Sequence, residues 1–213
     1  EVWVAILTGA GESAFSSGED LKWRVSGAAE EDLRSPVHNP THVLDRCFKP
    51  IIAAVNGYAV GGGLELALRC DVIVASAHAQ FGLPEVRRGL LADAGGVLNL
   101  PRRLPYHLAM SMILTGRMFS ATEAQGMGLV SEVAESEDIV ACAERWAAEI
   151  LECGPLAVQA AKQVAIHTLE TSVMLAQTQL ENLTAVQRLR QSEDYTEGPR
   201  AFAEKRKPRW KGR

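Results

Sequence analysis

The sequence has no run of apolar residues that approaches the roughly 20 needed by a membrane-spanning helix, although 47% of its 213 residues are hydrophobic. It also has no excess of basic residues, since 22 Lys and Arg against 26 Asp and Glu give a net charge of −4. A general nucleic-acid-binding protein has a basic surface, so we expect neither a nucleic-acid partner nor a membrane partner. The composition is that of a globular protein with a sizeable core.

Cysteine is sparse and forms no metal-binding pattern. The four cysteines include no CxxC pair, and the five histidines show no spacing typical of metal ligands. We therefore interpret the cysteines as reduced thiols in or near the core of a cytoplasmic protein, and we expect no metal site. These cysteines are Cys47, Cys70, Cys142 and Cys153.

Nearly continuous apolar runs predict the strands of a buried sheet. Three such runs lie at residues 2–7, 49–57 and 71–76, and a short fourth strand is expected at 79–83. Strand, turn and helix alternate in this part of the chain, which is typical of an α/β fold.

Helical patterns dominate the rest of the chain. The predicted helices span about 93–115, 121–127, 136–152, 155–168 and 172–190. Because the last third is nearly all helical, we predict an α/β core over residues 1–150 and a helical region over residues 151–213.

The turn after the first strand fits a nucleotide-binding pattern in part. Gly9, Gly11 and Ala14 satisfy G-x-G-x-x-A after a strand, as in the dinucleotide fingerprint. That fingerprint also requires a helix directly afterwards and an acidic residue that ends a second strand about 20 residues on. The polar stretch "AAEED" stands there instead, so we interpret the glycines as a plain turn.

Glycines stand directly before a helical pattern in "VNGYAVGGGLELALRCD", residues 55–71. Glycine leaves main-chain N–H groups open to approach, and the start of a helix presents unpaired N–H groups and the positive end of the dipole. Gly18, in "AFSSGEDL", has a similar setting. Two N–H groups converging from these two loops would form an oxyanion hole.

Two glutamates accompany the glycines, and each also allows a structural interpretation. Glu65 falls in the first turn of its helix, where a carboxylate favours the dipole and can pair with Arg69 four residues on. Glu85 follows Pro84, which is a common opening of a helix. Each glutamate taken singly favours the structural interpretation, and the glycine triplet taken alone favours a tight turn.

In combination, three segments resemble the crotonase superfamily, also called the enoyl-CoA hydratase/isomerase family. "FSSGEDL" is similar to its F-x-x-G-x-D-[LI] segment, "NGYAVGGGLELALRCD" to its central signature, and "FGLPEVRRGL" to its F-x-x-P-E segment. Four further stretches also follow the family: "AGG" (94–96), "LTGR" (114–117), A-x-x-A-x-x-x-G-L-V (121–130) and "GPRAFAEKRKPRWKGR" (198–213). The resemblance therefore covers almost the whole chain.

The resemblance implies an α/β fold of the crotonase type, a spiral of repeated β-β-α units followed by a C-terminal helical trimerisation region. A homo-oligomer, a trimer or hexamer, is therefore expected. The family's spiral starts with further strands, so we expect such strands to precede Glu1. The implied substrate is an acyl-CoA thioester, of which coenzyme A is a part, and no separate cofactor is expected.

The resemblance also implies a binding site for that thioester. The backbone N–H groups of Glu19 and Gly62 would hold its carbonyl oxygen. Asp20, Leu21 and Lys22 match positions that line the coenzyme A site together with these two residues. A lysine after a turn is otherwise a solvated surface residue.

Two carboxylates match the catalytic pair of the family's hydratases. Glu65 and Glu85 would share the proton transfers around one water molecule, because hydration needs both a base for water and an acid for the α-carbon. This favours an acyl-CoA hydratase/dehydratase. The alternatives are an enoyl-CoA double-bond isomerase, which works with one carboxylate, and a non-catalytic crotonase-like binding protein.

The stretch "ADAGGVLNLPRRLP", residues 92–105, together with the C-terminal tail resembles the carnitinyl-CoA dehydratase branch. That branch acts on acyl groups that bear a quaternary ammonium. Asp93 would supply negative charge near such a cation, or it would cap a helix start. Two departures from the branch are Glu19, in place of a bulkier apolar residue, and Ala92, in place of a proline. The basic tail, residues 205–213, would meet coenzyme A phosphates or be solvated.

Overall fold

The computed structural model describes residues 2–25, 44, 46–135 and 138–213. Within them the strands are β1 (Ala5–Thr8), β2 (Ala14–Ser16), β3 (Ile51–Val55), β4 (Tyr58–Val60), β5 (Val72–Ser76), β6 (Gln80–Gly82), β7 (Phe119–Ser120) and β8 (Glu132–Ala134). The α-helices are α1 (Leu21–Val25), α2 (Gly62–Ala67), α3 (Gly96–Arg103), α4 (Tyr106–Thr115), α5 (Ala121–Gly126), α6 (Ile139–Leu151), α7 (Pro155–Glu170), α8 (Val173–Gln179), α9 (Thr184–Arg190) and α10 (Asp194–Ala203). Short 3₁₀ helices span Pro84–Arg88 and Leu180–Asn182.

The predicted α/β class is confirmed. The described strands form two four-stranded sheets with the orders β1-β3-β5-β8 and β2-β4-β6-β7. The pairings β3–β5, β5–β8, β2–β4 and β4–β6 are parallel, and β6–β7 is antiparallel. All five residues of β3 are buried, as its continuous apolar run predicts.

Parallel pairing within the second sheet sets up one functional edge. Ala14 of β2 lies opposite Tyr58 of β4, which lies opposite Gln80 of β6. Because parallel neighbours end at the same edge, the chain leaves β2, β4 and β6 on the same side of the sheet. We call these three strands the site strands.

Several predicted elements differ in extent from those observed. The strand predicted at 49–57 is shorter, because β3 covers only Ile51–Val55 and the chain turns at Asn56 and Gly57 before it enters β4 in the other sheet. The predicted helix 93–115 is interrupted at Leu104, which is extended (φ −117°, ψ 155°) before Pro105, since proline disfavours helical geometry in the preceding residue. The predicted helix 172–190 consists of α8, a 3₁₀ turn and α9.

Contacts divide the described residues into two compact units. The first contains the described parts of 6–46 and 51–145, and the second contains residues 2–5, 47–50 and 146–213. The boundary at residue 150 expected from the sequence stays a prediction. Among the described helices, none combines the length and the apolarity that crossing a bilayer demands.

The C-terminal tail folds back onto α10 within the second unit. The buried carboxylate of Asp194 accepts hydrogen bonds from the backbone N–H groups of Lys211 and Gly212, each at 2.8 Å. Arg206 donates to both carboxylate oxygens of Glu197, at 2.6 and 2.9 Å. These bonds, together with one from the Arg209 N–H, lower the pKa of Glu197 to about 2. The tail is therefore bound to its own helix through Asp194 and Arg206, and its interpretation as a phosphate-binding or a solvated segment stays a prediction.

Candidate active site

Two glycine corners bring main-chain amides together at the ends of β2 and β4. Gly18 and Gly61 have positive φ angles, of 82° and 59°, which side chains rarely allow. A Cβ atom at Gly18 would lie 2.8 Å from the nitrogen of Gly62. A Cβ atom at Gly62 would lie 3.9 Å from the nitrogen of Glu19. The two corners therefore pack backbone against backbone, with the amides of Glu19 and Gly62 close to each other.

Glu65 is a buried carboxylate, 3% exposed, on the first turns of α2. Its Oε1 accepts a hydrogen bond of 2.8 Å from the N–H of Gly96. Burial raises the pKa of Glu65, and the negative charges of Glu85 and Asp93 raise it further, while hydrogen bonding from the Gly96 and Ala94 amides opposes the rise.

Glu85 lies on the 3₁₀ helix that follows β6 and is half-buried. Burial raises the pKa of Glu85, as does the charge of Asp93, whereas its own backbone amide and the charge of Arg88 lower it. Among the described residues, no group hydrogen-bonds the buried Oε2 of Glu85. A carboxylate oxygen left in this state favours the protonated form of the side chain.

The two carboxylates meet at the corner after β4. A Cβ atom at Gly61 would lie 3.0 Å from Oε1 of Glu85, and one at Gly62 would lie 3.8 Å from Oε2 of Glu65. The same Gly62 position is next to the Glu19 amide. The structure thus brings together the amides of Glu19 and Gly62 and the carboxylates of Glu65 and Glu85.

The remaining predicted residues lie on α1 and before α3. Asp20 accepts hydrogen bonds from the N–H groups of Lys22 (2.8 Å) and Trp23 (3.4 Å) and so stabilises the start of α1. Leu21 and Lys22 are exposed. Asp93 is exposed and does not cap α3, whose N-cap is Gly95, so the capping interpretation of Asp93 is wrong.

The segment Ala94–Gly96 belongs to a stretch that the sequence analysis singled out, but its contact with Glu65 was not predicted. Its Gly96 N–H binds the Glu65 carboxylate, and Arg69 donates from Nη2 to the carbonyl oxygen of Ala94, at 3.0 Å. The glycine pair Gly95-Gly96 before a helix was the available signal, because it repeats the arrangement of the triplet before α2.

The nucleotide-like pattern after β1 is a turn. The side chain of Asn56 donates to the carbonyl oxygens of Gly9 (3.2 Å) and Gly11 (2.6 Å) and accepts from the Gly9 N–H (3.1 Å). The chain then enters β2 at Ala14 instead of a helix. In the described part of the chain, no group of three or more His, Cys, Asp or Glu is arranged to hold a metal ion.

Comparisons with known proteins point to one family. The model of a family described as enoyl-CoA hydratase/isomerase matches residues 1–213. A carnitinyl-CoA dehydratase of Salmonella arizonae is 44% identical over 98% of this chain and 81% of its own length, and one of Proteus mirabilis is 43% identical over 99% and 82%. Solved enoyl-CoA hydratases of Mycobacterium marinum (42% identity, TM-score 0.86) and Bacillus anthracis (38%, 0.89) each cover 99% of this chain and 81% of theirs.

Replacing Glu85 by glutamine is expected to stabilise the protein at neutral pH. Because the pKa of Glu85 is raised on folding, the stability contributed by its proton is complete below the ordinary pKa of 4.5 and is lost as the pH rises through the raised value. The neutral carboxamide avoids that loss. Urea titrations should show a larger free energy of unfolding for the variant at neutral pH and no gain below the ordinary pKa.

Glu123→Gln serves as the control of opposite sign. Hydrogen bonds from Ser120 lower the pKa of Glu123, so its contribution is present above the unfolded pKa and lost as the pH falls. That variant should be less stable than the parent at neutral pH. A Glu85→Gln variant that also loses stability at neutral pH would contradict the raised pKa.

Proposed function

Because this chain belongs to the enoyl-CoA hydratase/isomerase family, we propose that Glu65 and Glu85 perform the proton transfers of its acyl-CoA hydratase/dehydratase reaction. Membership establishes a hydro-lyase with the crotonase-type fold, as the sequence predicted. The single observation that carries the residue assignment is the meeting of two backbone amides, the buried carboxylate of Glu65 and the half-buried carboxylate of Glu85 at one edge of the site strands.

The amides of Glu19 and Gly62 form the oxyanion hole in this proposal. Gly62 is the first residue of α2, so its N–H has no acceptor within the helix. Two N–H groups would donate to the thioester oxygen, which gains negative charge when the α-carbon becomes enolate-like. One such donor typically contributes about 3 to 4 kcal/mol to the stability of the transition state.

The two carboxylates have different surroundings, which assigns them different tasks. The amide hydrogen bond from Gly96 stabilises the charged form of Glu65, which makes Glu65 the base in the hydration direction. The buried Oε2 of Glu85, for which no hydrogen-bond donor is present among the described residues, favours the acid form. A raised pKa in both groups suits proton exchange near neutral pH.

Hydration then proceeds with a balanced movement of protons. Glu65 takes a proton from water as the oxygen bonds to the β-carbon, and the displaced electron pair moves through the α-carbon to the thioester oxygen at the Glu19 and Gly62 amides. Glu85 gives its proton to the α-carbon, which restores the carbonyl. Dehydration is the reverse sequence.

Coenzyme A is proposed to bind along the start of α1. Lys22 is exposed and can reach a phosphate with its ammonium, while Asp20 and Leu21 line the path from the oxyanion hole. The reaction as proposed uses no cofactor apart from the coenzyme A of the substrate. Action in the cytoplasm stays a prediction.

A cationic acyl group is proposed as the substrate's reactive end. The relatives named above are carnitinyl-CoA dehydratases, and carnitine carries a quaternary ammonium. Asp93 supports this assignment, because it is exposed and its negative charge acts on both Glu65 and Glu85. Its carboxylate therefore lies near the reaction centre without belonging to it.

A homo-oligomer, a trimer or hexamer, is proposed as the working form. Large apolar side chains are exposed in each of the two units, and surfaces of this kind mark protein interfaces. They include Leu98, Tyr106 and Leu114 in the first unit and Leu169, Val173 and Met174 in the second.

Replacing Glu65 or Glu85 by glutamine should lower kcat by about 10²- to 10⁴-fold, because each change removes one proton transfer. The assay follows hydration of a short enoyl-CoA, with Glu123→Gln as a matched control that should keep the parental rate. Parental rates in both site variants would refute the assignment.

A second experiment identifies the type of reaction. Product formed in ¹⁸O-labelled water contains the label if the protein is a hydratase and lacks it if it is an isomerase. Thioester binding without turnover would indicate a binding protein.

Asp93→Asn should lower kcat/KM for a trimethylammonium acyl-CoA by about two- to fivefold relative to a neutral thioester of the same length, as expected for one exposed charge pair. Any effect on the pKa values of the glutamates is common to both substrates and cancels in the ratio. An unchanged ratio would remove Asp93 from substrate selection.

Sedimentation equilibrium of the purified chain should give three or six chain masses. A monomer at micromolar concentration would contradict the proposed oligomer without bearing on the roles of the glutamates.

A further inference from the structure

The segment Ala94–Gly96 is held from two sides by side chains of one short stretch of chain. Glu65, on α2, accepts the N–H of Gly96 at 2.8 Å, and hydrogen bonding from the Ala94 amide also acts on this carboxylate. Arg69, just beyond α2, donates from Nη2 to the carbonyl oxygen of Ala94 at 3.0 Å. The N–H groups of Gly96 and Ala94 therefore face Glu65, and the carbonyl oxygen of Ala94 faces Arg69.

The guanidinium of Arg69 also lies against the bare backbone of Gly95. A Cβ atom at Gly95 would lie 3.0 Å from Nη2 of Arg69 and 2.8 Å from Nδ2 of Asn99. Gly95 has a φ of 125°, which side chains rarely adopt. This position therefore does not accommodate a side chain, and the Arg69 guanidinium packs against its backbone.

We propose that Arg69 is a positioning residue for the reaction, which holds Ala94–Gly96 in place so that the Gly96 N–H meets the Glu65 carboxylate. The inference rests on the proposed function, because it assumes that Glu65 is the base. Arg69 does not contact the reacting atoms in this arrangement. It acts on them through one carbonyl group and one amide.

The charged surroundings of Glu65 and Arg69 define what the test must separate. The negative charges of Glu85 and Asp93 act on Glu65. Arg103 lies near Asp71 and Arg69: burial lowers the pKa of Arg103, the charge of Asp71 raises it and the charge of Arg69 lowers it. In β2 and β4, the strands packed on α2, the exposed Tyr58 is the one titratable residue. Arg103 is a neighbouring cation of Arg69, so its replacement controls for the loss of a positive charge in this part of the structure.

Arg69→Met is expected to weaken the Gly96 hydrogen bond and so to destabilise the ionised form of Glu65. The acid limb of the pH profile of kcat/KM should move to higher pH, and kcat should fall by about ten- to a hundredfold at neutral pH, the size expected for a hydrogen bond to a charged group. KM should change little, because the Glu19 and Gly62 amides are intact. Arg69→Lys keeps a cationic donor and should restore most of the parental profile.

Two further variants keep the test decisive. In Gly95→Ala the added Cβ atom displaces the Arg69 guanidinium, and the acid limb of the pH profile should shift in the same direction. This variant tests the proposal if Arg69→Met does not fold. Arg103→Gln removes the neighbouring cation and should leave the limb in place. Circular dichroism and thermal unfolding establish that each variant is folded before its kinetics are read.

The outcomes distinguish this inference from the proposed function. A parental pH profile in folded Arg69→Met, or an equal shift in Arg103→Gln or Arg69→Lys, overturns the positioning role while an inactive Glu65→Gln variant still supports the base. A Glu65→Gln variant with the parental rate overturns the proposed function and the role of Arg69 with it.

Discussion

Parallel hydrogen bonding between β2, β4 and β6 brings three chain corners to one edge of a sheet. The corner after β2 supplies the Glu19 amide, the corner after β4 supplies Gly62 and Glu65, and the chain after β6 supplies Glu85. The three corners are far apart in sequence, and only Gly62 and Glu65 come from the same one. Their proximity depends on strand pairing, and a slip in register would separate the amides from the carboxylates.

Burial of two acids at this edge has an energetic cost that the local structure only partly offsets. The Gly96 amide stabilises the charged form of Glu65, and Arg88 and its own amide do the same for Glu85, while Asp93 acts against both. The balance leaves both pKa values raised. Groups that must take and give protons near neutral pH need that balance, so stability is lower where reactivity is higher.

The sequence predicted the glycine corners because their chemistry is local, whereas the pairing of Glu65 with Glu85 came from the resemblance to a family, since each glutamate taken singly favoured a structural interpretation. It could not reveal that Arg69 donates to the carbonyl oxygen of Ala94, because that contact depends on how distant parts of the chain fold together. The helix α2 ends at Ala67, and the chain then forms a tighter turn in which the Arg69 N–H donates to the carbonyl oxygen of Leu66. The Arg69 guanidinium donates to the carbonyl oxygen of Ala94, which is distant in sequence. The helix α10 was missed because it contains Gly198 and Pro199. Trp210 lies over Gly198, where a Cβ atom would be 3.2 Å from its ring, so packing overrides local propensity there.

The three glycines before and within α2 meet three separate demands. Gly61 supplies the positive φ of the corner, Gly62 leaves room beside Gly18, and Gly63 lies so close to the carbonyl oxygen of Ser16 that no side chain fits. A helix of six residues that starts with glycines would not persist alone in water. The helical conformation of α2 therefore depends on its packing against the strands, and so does the orientation of the Glu65 carboxylate.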